Sequence, residues 1–247
     1  MPASHTRETL AQDLGTLGVE PADILFVHAS FKSLGPVEAG AETVVRALED
    51  AVGPEGLILM PSFNLVPPDR DGRAARWNIE TTASTTGWIT ECFRRMPGTY
   101  RSDHYSHSVA ARGKGAEQWV ADHLSREGCK SPWDLEPWGK TYGTHSPMYR
   151  AYRANAKILM LGVDYESSTY IHLVEVLYWH KLLDRNPKAT YPGIKRPALG
   201  AFWDRVGTLS RGRIGDADCR LFRVRDYVHT LLDEVETNPG PYLRQGK

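Results

Sequence analysis

"ILFVHASFKSLGPVEAGAETVVRALEDAVGPEGLILMPSF" occupies residues 24–63. It opens on a short apolar run, "ILFVHAS" (24–30), the pattern of a strand covered on both faces. "FKSLGPVEAG" (31–40) is punctuated by Gly and Pro, as a loop is. "AETVVRALEDAVG" (41–53) sets Val44, Val45, Leu48 and Val52 on one helical face, with Gly53 as a C-cap. "GLILMPSF" (56–63) is a second buried strand. Strand, loop, helix and strand in that order predict a right-handed parallel βαβ unit, and with it the α/β class.

The flanking sequence extends the same alternation. Leu10, Leu14 and Leu17 mark a helix over residues 5–18. Further helices are predicted over 85–98, 115–125 and 168–185. A short strand should follow the 100–113 loop, "AKILMLGV" (156–163) is a third buried strand, and 212–235 suggests a late strand or turn and a last helix. The tail from Thr237 onward should be loosely held. Residues 130–153 read as irregular. "NLVPPDRDGRAARWN" (64–78) is too long for a structural turn and is a candidate binding loop. The expected architecture is one domain spanning residues 1–247. It has three layers, α/β/α, around a central mostly parallel or mixed sheet.

Composition narrows the function. The 30 acidic and 30 basic residues cancel, so no basic surplus points to nucleic acid. Cys92, Cys129 and Cys219 are far apart and form no C-x-x-C, which argues against a disulfide framework or a cysteine zinc site. The first residues lack the apolar core of a secretory signal, and no apolar stretch approaches the roughly 20 residues of a membrane helix. A soluble, cytoplasmic protein is expected.

Three stretches carry candidate chemistry. His28 to Gly40 sits where a parallel strand ends and a helix begins, the place where open α/β sheets bind ligands. Lys32 and Ser33 would supply a cation and a hydroxyl there. "RSDHYSHSVAARG" (101–113) crowds Arg, Ser and His into a short loop. His104 and His107 have no carboxylate or cysteine beside them, so no metal is expected. In "SSTYIHLVEVLYWH" (167–180) His172 falls in the first turn of a helix and Glu175 shares its face. The positive helix end favours the neutral ring that a general base needs. A base with its partner, half of a metal site and ordinary surface chemistry all remain open from this pair alone.

The ordered set "VHASFKSLG.V..G", "LILMPSF", "FR..PG..RS.H...SVAA.G", "SP....PWGK" and "ILMLGVD...ST.IHL.E" resembles the aminoglycoside 3-N-acetyltransferase family, from about residue 7 to residue 235. The resemblance implies an α/β fold of the family's own, distinct from the common N-acetyltransferase superfamily. It implies acetyl-CoA as co-substrate, a small-molecule amine as acceptor, and no metal. The single most favoured acceptor is the 3-amino group of an aminoglycoside. The alternatives are another amine, including an anionic one such as a phosphonate, or a CoA-binding module without turnover. The assembly would be a monomer or a homodimer. Carried over by position, His172 would be the general base and Glu175 its support. His28, Ser30, Lys32, Ser33, Leu34, Gly35 and Val37 would line the CoA path, completed by Arg101, Ser102, Ser108, Val109 and Ala110. Asp164, Glu166, Ser168 and Thr169 would border the acceptor pocket, shaped further by the 64–78 and 186–211 segments.

The chemistry is coherent with that implication. An amine attacks a thioester only through a free lone pair, so a neutral base beside it helps. The tetrahedral oxyanion needs donors, for which backbone N–H groups in 29–35 or the Ser108 hydroxyl are candidates. No cysteine lies in a motif, which favours direct attack over an acyl-enzyme. An anionic pocket for a polycation would have to come from Glu80, Asp164, Glu166 and Glu175. Where the family usually has Pro after the His of the R-S-x-H motif, this chain has Tyr105. Where it commonly has Asn, and then Ser-Leu before the catalytic His, this chain has Ser168 and Tyr170-Ile171.

Overall fold

The structure, a computed structural model, describes residues 4–66 and 69–244. Two prolines of the predicted binding loop, Pro67 and Pro68, and the last three residues of the predicted loose tail lie outside that range. In chain order the elements are α1 (Arg7–Leu17), β1 (Ile24–Ala29), α2 (Ala41–Val52), β2 (Leu57–Pro61), α3 (Arg70–Ala75), α4 (Trp88–Arg95), β3 (Tyr100–Arg101) and β4 (Val109–Gly113). There follow α5 (Ala116–Val120), α6 (Pro147–Arg153), β5 (Lys157–Leu161), α7 (Thr169–Arg185), α8 (Arg196–Val206), β6 (Leu209–Ile214), β7 (Ala217–Arg223) and α9 (Val224–Thr237).

The strands form one sheet in the order β3-β4-β2-β1-β5-β7-β6. β1 pairs in parallel with β2 and β5, while β4, β3, β7 and β6 join antiparallel. The sheet is therefore mixed, with a parallel centre. Antiparallel flanks arise because β6 and β7 form a hairpin and β4 returns beside β2.

Alternation along the central strands explains the three layers. Leu25, Val27, Ile58, Met60, Leu159 and Leu161 face one apolar core. Phe26, Leu57, Leu59, Ile158 and Met160 face the other. A strand whose successive side chains point to opposite faces is apolar throughout only when both faces are covered. α1, α2 and α4 pack together, with residues of each buried in the first core, and α6, α7 and α8 pack on α9 over the second.

Among the described residues, three helices escaped the sequence reading, the first of them α3, inside the 64–78 stretch read as a loop. α6 lies in the stretch read as irregular, although Ser146 caps it by accepting from the Tyr149 N–H and Pro147 takes its first turn. α8 lies in the 186–211 segment, and Gly200 lets it sit against the Tyr165 ring, where a Cβ would come within 2.1 Å of ring carbon. The tail also differs from expectation. Tyr242 is buried, its carbonyl accepts from the Lys195 N–H at 2.8 Å, and Leu243 bridges Ile194.

One buried ion pair ties the α1–β1 turn to β5. Lys157 Nζ donates to Asp23 Oδ2 at 2.7 Å, Glu20 Oε2 at 2.8 Å and the Gly18 carbonyl at 2.9 Å. Removing one partner of a buried pair leaves the other charge stranded. Lys157→Met is expected to cost about 3–5 kcal/mol in urea unfolding, and the double variant with Asp23→Asn to recover part of that loss.

Candidate active site

The carboxyl ends of the three parallel strands open into a cavity of about 490 Å³. Ala29, Pro61 and Val163, at or just past the ends of β1, β2 and β5, form its floor. Ligand sites in open α/β sheets form at such strand ends. Gly162, at φ +63°, makes the turn out of β5, and a 310 turn at Tyr165–Ser167 leads into α7.

α7 starts at Thr169, so His172 stands in its first turn and reaches the cavity. Its Nδ1 lies 2.5 Å from Glu175 Oε2. Its Nε2 lies 3.0 Å from Nη1 of Arg196. A carboxylate accepts and a guanidinium only donates. The two partners therefore fix a ring that carries its proton on Nδ1 and whose Nε2 lone pair accepts from Arg196 at the cavity wall. Trp133 walls the ring edge-on at 5.0 Å.

Glu175 is buried behind the imidazole. Burial alone would raise its carboxyl pKa. The hydrogen bond and charge of His172, the Ile194 N–H at 2.9 Å and the Tyr191 hydroxyl at 3.0 Å outweigh burial and hold it below the usual range. Glu175→Ala would leave buried donors unpaired, each costing about 1–3 kcal/mol. Denaturant unfolding should show the loss, and Glu175→Gln should restore much of the stability while leaving turnover impaired.

His28 ends β1 on the face shared with Phe26, and its Nε2 accepts from the Thr169 N–H at 3.4 Å. Burial first, and the charge of His172 second, push its pKa down to about 3. It lines the cavity as a neutral ring.

The structure brings His28, Glu166, Ser168, Thr169 and His172 to the cavity wall, with Glu175 directly behind. It does not bring the rest of the expected sets there. Ser30 and Ser33 bond each other, and Ser33 also donates to the Gly162 carbonyl. Leu34 is core, and Gly35 lies against Asp216. Val37 pairs with His5, and Lys32 faces solvent. Asp164 caps the 310 turn by accepting from the Glu166 N–H.

Arg101 turns inward. It donates to the carbonyls of Ile79, Thr82 and Ser62 and to the Ser108 hydroxyl, and stacks 4.6 Å above Trp77. Ser102, Ser108, Val109 and Ala110 are fully buried. The Ser108 hydroxyl is committed to the Ser62 carbonyl, and the Ser30 and Ser33 amides to Leu161 and Ser30 carbonyls. These expected oxyanion donors are already paired. His104 Nδ1 accepts from the backbone N–H groups of Ser106 and His107, which uses the lone pair a metal would need.

The expected site sets omit Arg73, Trp133 and Arg196, which all line the cavity. The two arginines read from sequence only as members of basic clusters suited to an anionic acceptor. Arg196 had a signal, a basic pair before Pro197 at a helix start. Trp133 is positioned by Tyr105, whose hydroxyl donates to the Trp133 carbonyl at 2.9 Å. Nothing local distinguishes that tryptophan from the others. Of the expected carboxylates only Glu166 lines the cavity, and Glu80 lies in a separate surface groove.

A family model described as aminoglycoside 3-N-acetyltransferase matches residues 26–235. The chain is 34% identical to aminoglycoside N(3)-acetyltransferase III of Salmonella sp, over 98% of this chain and 82% of that one. It is 28% identical to the SPbeta prophage-derived aminoglycoside N(3')-acetyltransferase-like protein YokD of Bacillus subtilis (strain 168), over 91% and 90% of the two chains. A crystal structure of a histidine-to-alanine mutant of aminoglycoside acetyltransferase AAC(3)-IVa in complex with a gentamicin superposes with a TM-score of 0.78 at 26% identity, covering 99% and 93%. On the family model, the extent of the match and the shared sheet, this chain belongs to the aminoglycoside 3-N-acetyltransferase family of acyltransferases.

Proposed function

We propose that the protein transfers the acetyl group of acetyl-CoA to an amino group of an aminoglycoside, with His172 as general base. The observation that carries the reading is the His172–Glu175 pair at the wall of the strand-end cavity. The amine nitrogen attacks the thioester carbonyl and its proton passes to Nε2. The tetrahedral intermediate then expels CoA as its thiolate, which a proton neutralises. Glu175 stabilises the imidazolium formed in the first step. The gentamicin held by the related enzyme supports the acceptor class.

A second reading has an observation of its own. Two guanidinium groups, Arg73 and Arg196, line the cavity against one carboxylate, Glu166. That balance suits an amine carrying an acid group. Release of CoA thiol, measured with kanamycin, gentamicin, simple amines and phosphorylated amines, separates the two. Turnover with an aminoglycoside is the expected result. Turnover confined to a phosphorylated amine would replace the acceptor and keep the base.

A further inference from the structure

One wall of the cavity is a chain of three side chains, Glu166, Arg196 and His172. Arg196 donates through Nη1 to His172 Nε2 at 3.0 Å, and its Nη2 pairs with Glu166 Oε1. Nε2 has one lone pair. While a guanidinium N–H holds it, the ring cannot take a proton from an attacking amine. Arginine stays charged throughout the working range, so Arg196 itself neither gives nor accepts that proton. Its guanidinium makes the two contacts a polyamine acceptor would need. One is an N–H donor at the base and the other a cation at the carboxylate.

We infer that Arg196 is a resident competitor for the acceptor's amino groups, holding His172 Nε2 and Glu166 until an acceptor with at least two amino groups displaces it from both. This rests on the reading of His172 as base. The geometry allows the exchange. Glu166 is half exposed, with 46% of its side-chain surface accessible, so solvent screens its pairing with Arg196. Arg196 is the first residue of α8, with Pro197 fixing the backbone behind it. The side chain can swing outward without moving the helix. A monoamine can replace only the contact at Nε2 and leaves the arginine tethered to Glu166. A polycation offers a second ammonium to Glu166 and releases the arginine altogether. Selectivity for polycations then comes from a competitor rather than from an excess of carboxylates.

Diethyl pyrocarbonate, which acylates an imidazole nitrogen only through a free lone pair, tests this without turnover. Modification of His172 is followed by peptide mapping, with exposed His229 as internal reference. Arg196→Met should speed modification of His172 by about tenfold or more. Glu166→Gln, which removes the tether and disturbs the fold least, should speed it less. An unchanged rate at His172 in both variants overturns the inference. In steady state, Arg196→Met should lower the KM for gentamicin and for a monoamine such as ethanolamine, narrowing the preference between them. Glu166→Gln should raise the KM for gentamicin alone. If Arg196→Met instead abolishes turnover of a phosphorylated amine, the guanidinium reads an acid group on the acceptor and the competitor role fails. If wild type releases no CoA with any aminoglycoside, the proposed acceptor falls, while the His172 reactivity still decides the role of Arg196.

Discussion

His172→Ala lowers kcat by about 10²–10⁴, the usual worth of a positioned general base, and leaves acetyl-CoA binding largely intact. The size follows from what the ring does. At neutral pH an aliphatic amine is mostly protonated, and an ammonium cannot attack a carbonyl. Nε2 offers the only imidazole lone pair that both lines the cavity and is oriented by a buried carboxylate among the described residues. His28 and His107 also line the cavity, but His28 already accepts from a backbone N–H and His107 bonds the Ser106 hydroxyl. Among the described residues, neither has a carboxylate partner to stabilise its imidazolium, as Glu175 does for His172. The fold should survive the substitution, because His172 is partly exposed and its loss frees Glu175 to keep Tyr191 and Ile194. Thiol release and isothermal titration with CoA check the two halves of the expectation. A variant that keeps near wild-type kcat would remove His172 from the chemistry.

Acid should unfold this protein at an unusually high pH for a chain of balanced charge. His28, His104, His107 and His123 are all buried. In each, burial is the largest cause of a depressed pKa. His28 and His123 are held near 3, and His104 and His107 are pushed well below the ordinary 6.5. The unfolded chain binds these protons near pH 6.5 and the native state does not. Stability therefore rises with pH across that window, is fully present above 6.5, and is lost on acidification toward 3. Each histidine contributes a slope of about 1.4 kcal/mol per pH unit, and four give about 5. Typical stabilities of about 5–15 kcal/mol would be consumed within a few pH units. Urea midpoints measured from neutrality downward should fall steeply below pH 6.5, with a proton uptake near four. His123→Gln should reduce the uptake by one. A flat midpoint down to the carboxylate range would show that these rings are protonated in the native state.

Much of this was readable in the chain. The apolar runs at 24–30, 56–63 and 156–163 became the three central parallel strands, because a short apolar run without polar alternation, bounded by turn residues, fits a strand covered on both faces. The His172–Glu175 pairing followed from helical spacing, which puts residues three apart on one face whatever surrounds them. Motif order across most of the chain carried the family, because five motifs in sequence constrain far more than one.

What the sequence by itself determined, then, is what depends on short range: strand and helix type, the facing of His172 and Glu175, and the family. The tertiary structure alone decided which residues meet. Arg101 and Ser108 carry groups suited to a ligand, yet the fold spends them inward on the 79–82 loop and Ser62. Arg196, 24 residues beyond His172, arrives at its Nε2 only because Ile194 docks on Glu175 and α8 begins there. A buried backbone N–H must find an acceptor, and that requirement, set in three dimensions, places the arginine on the base.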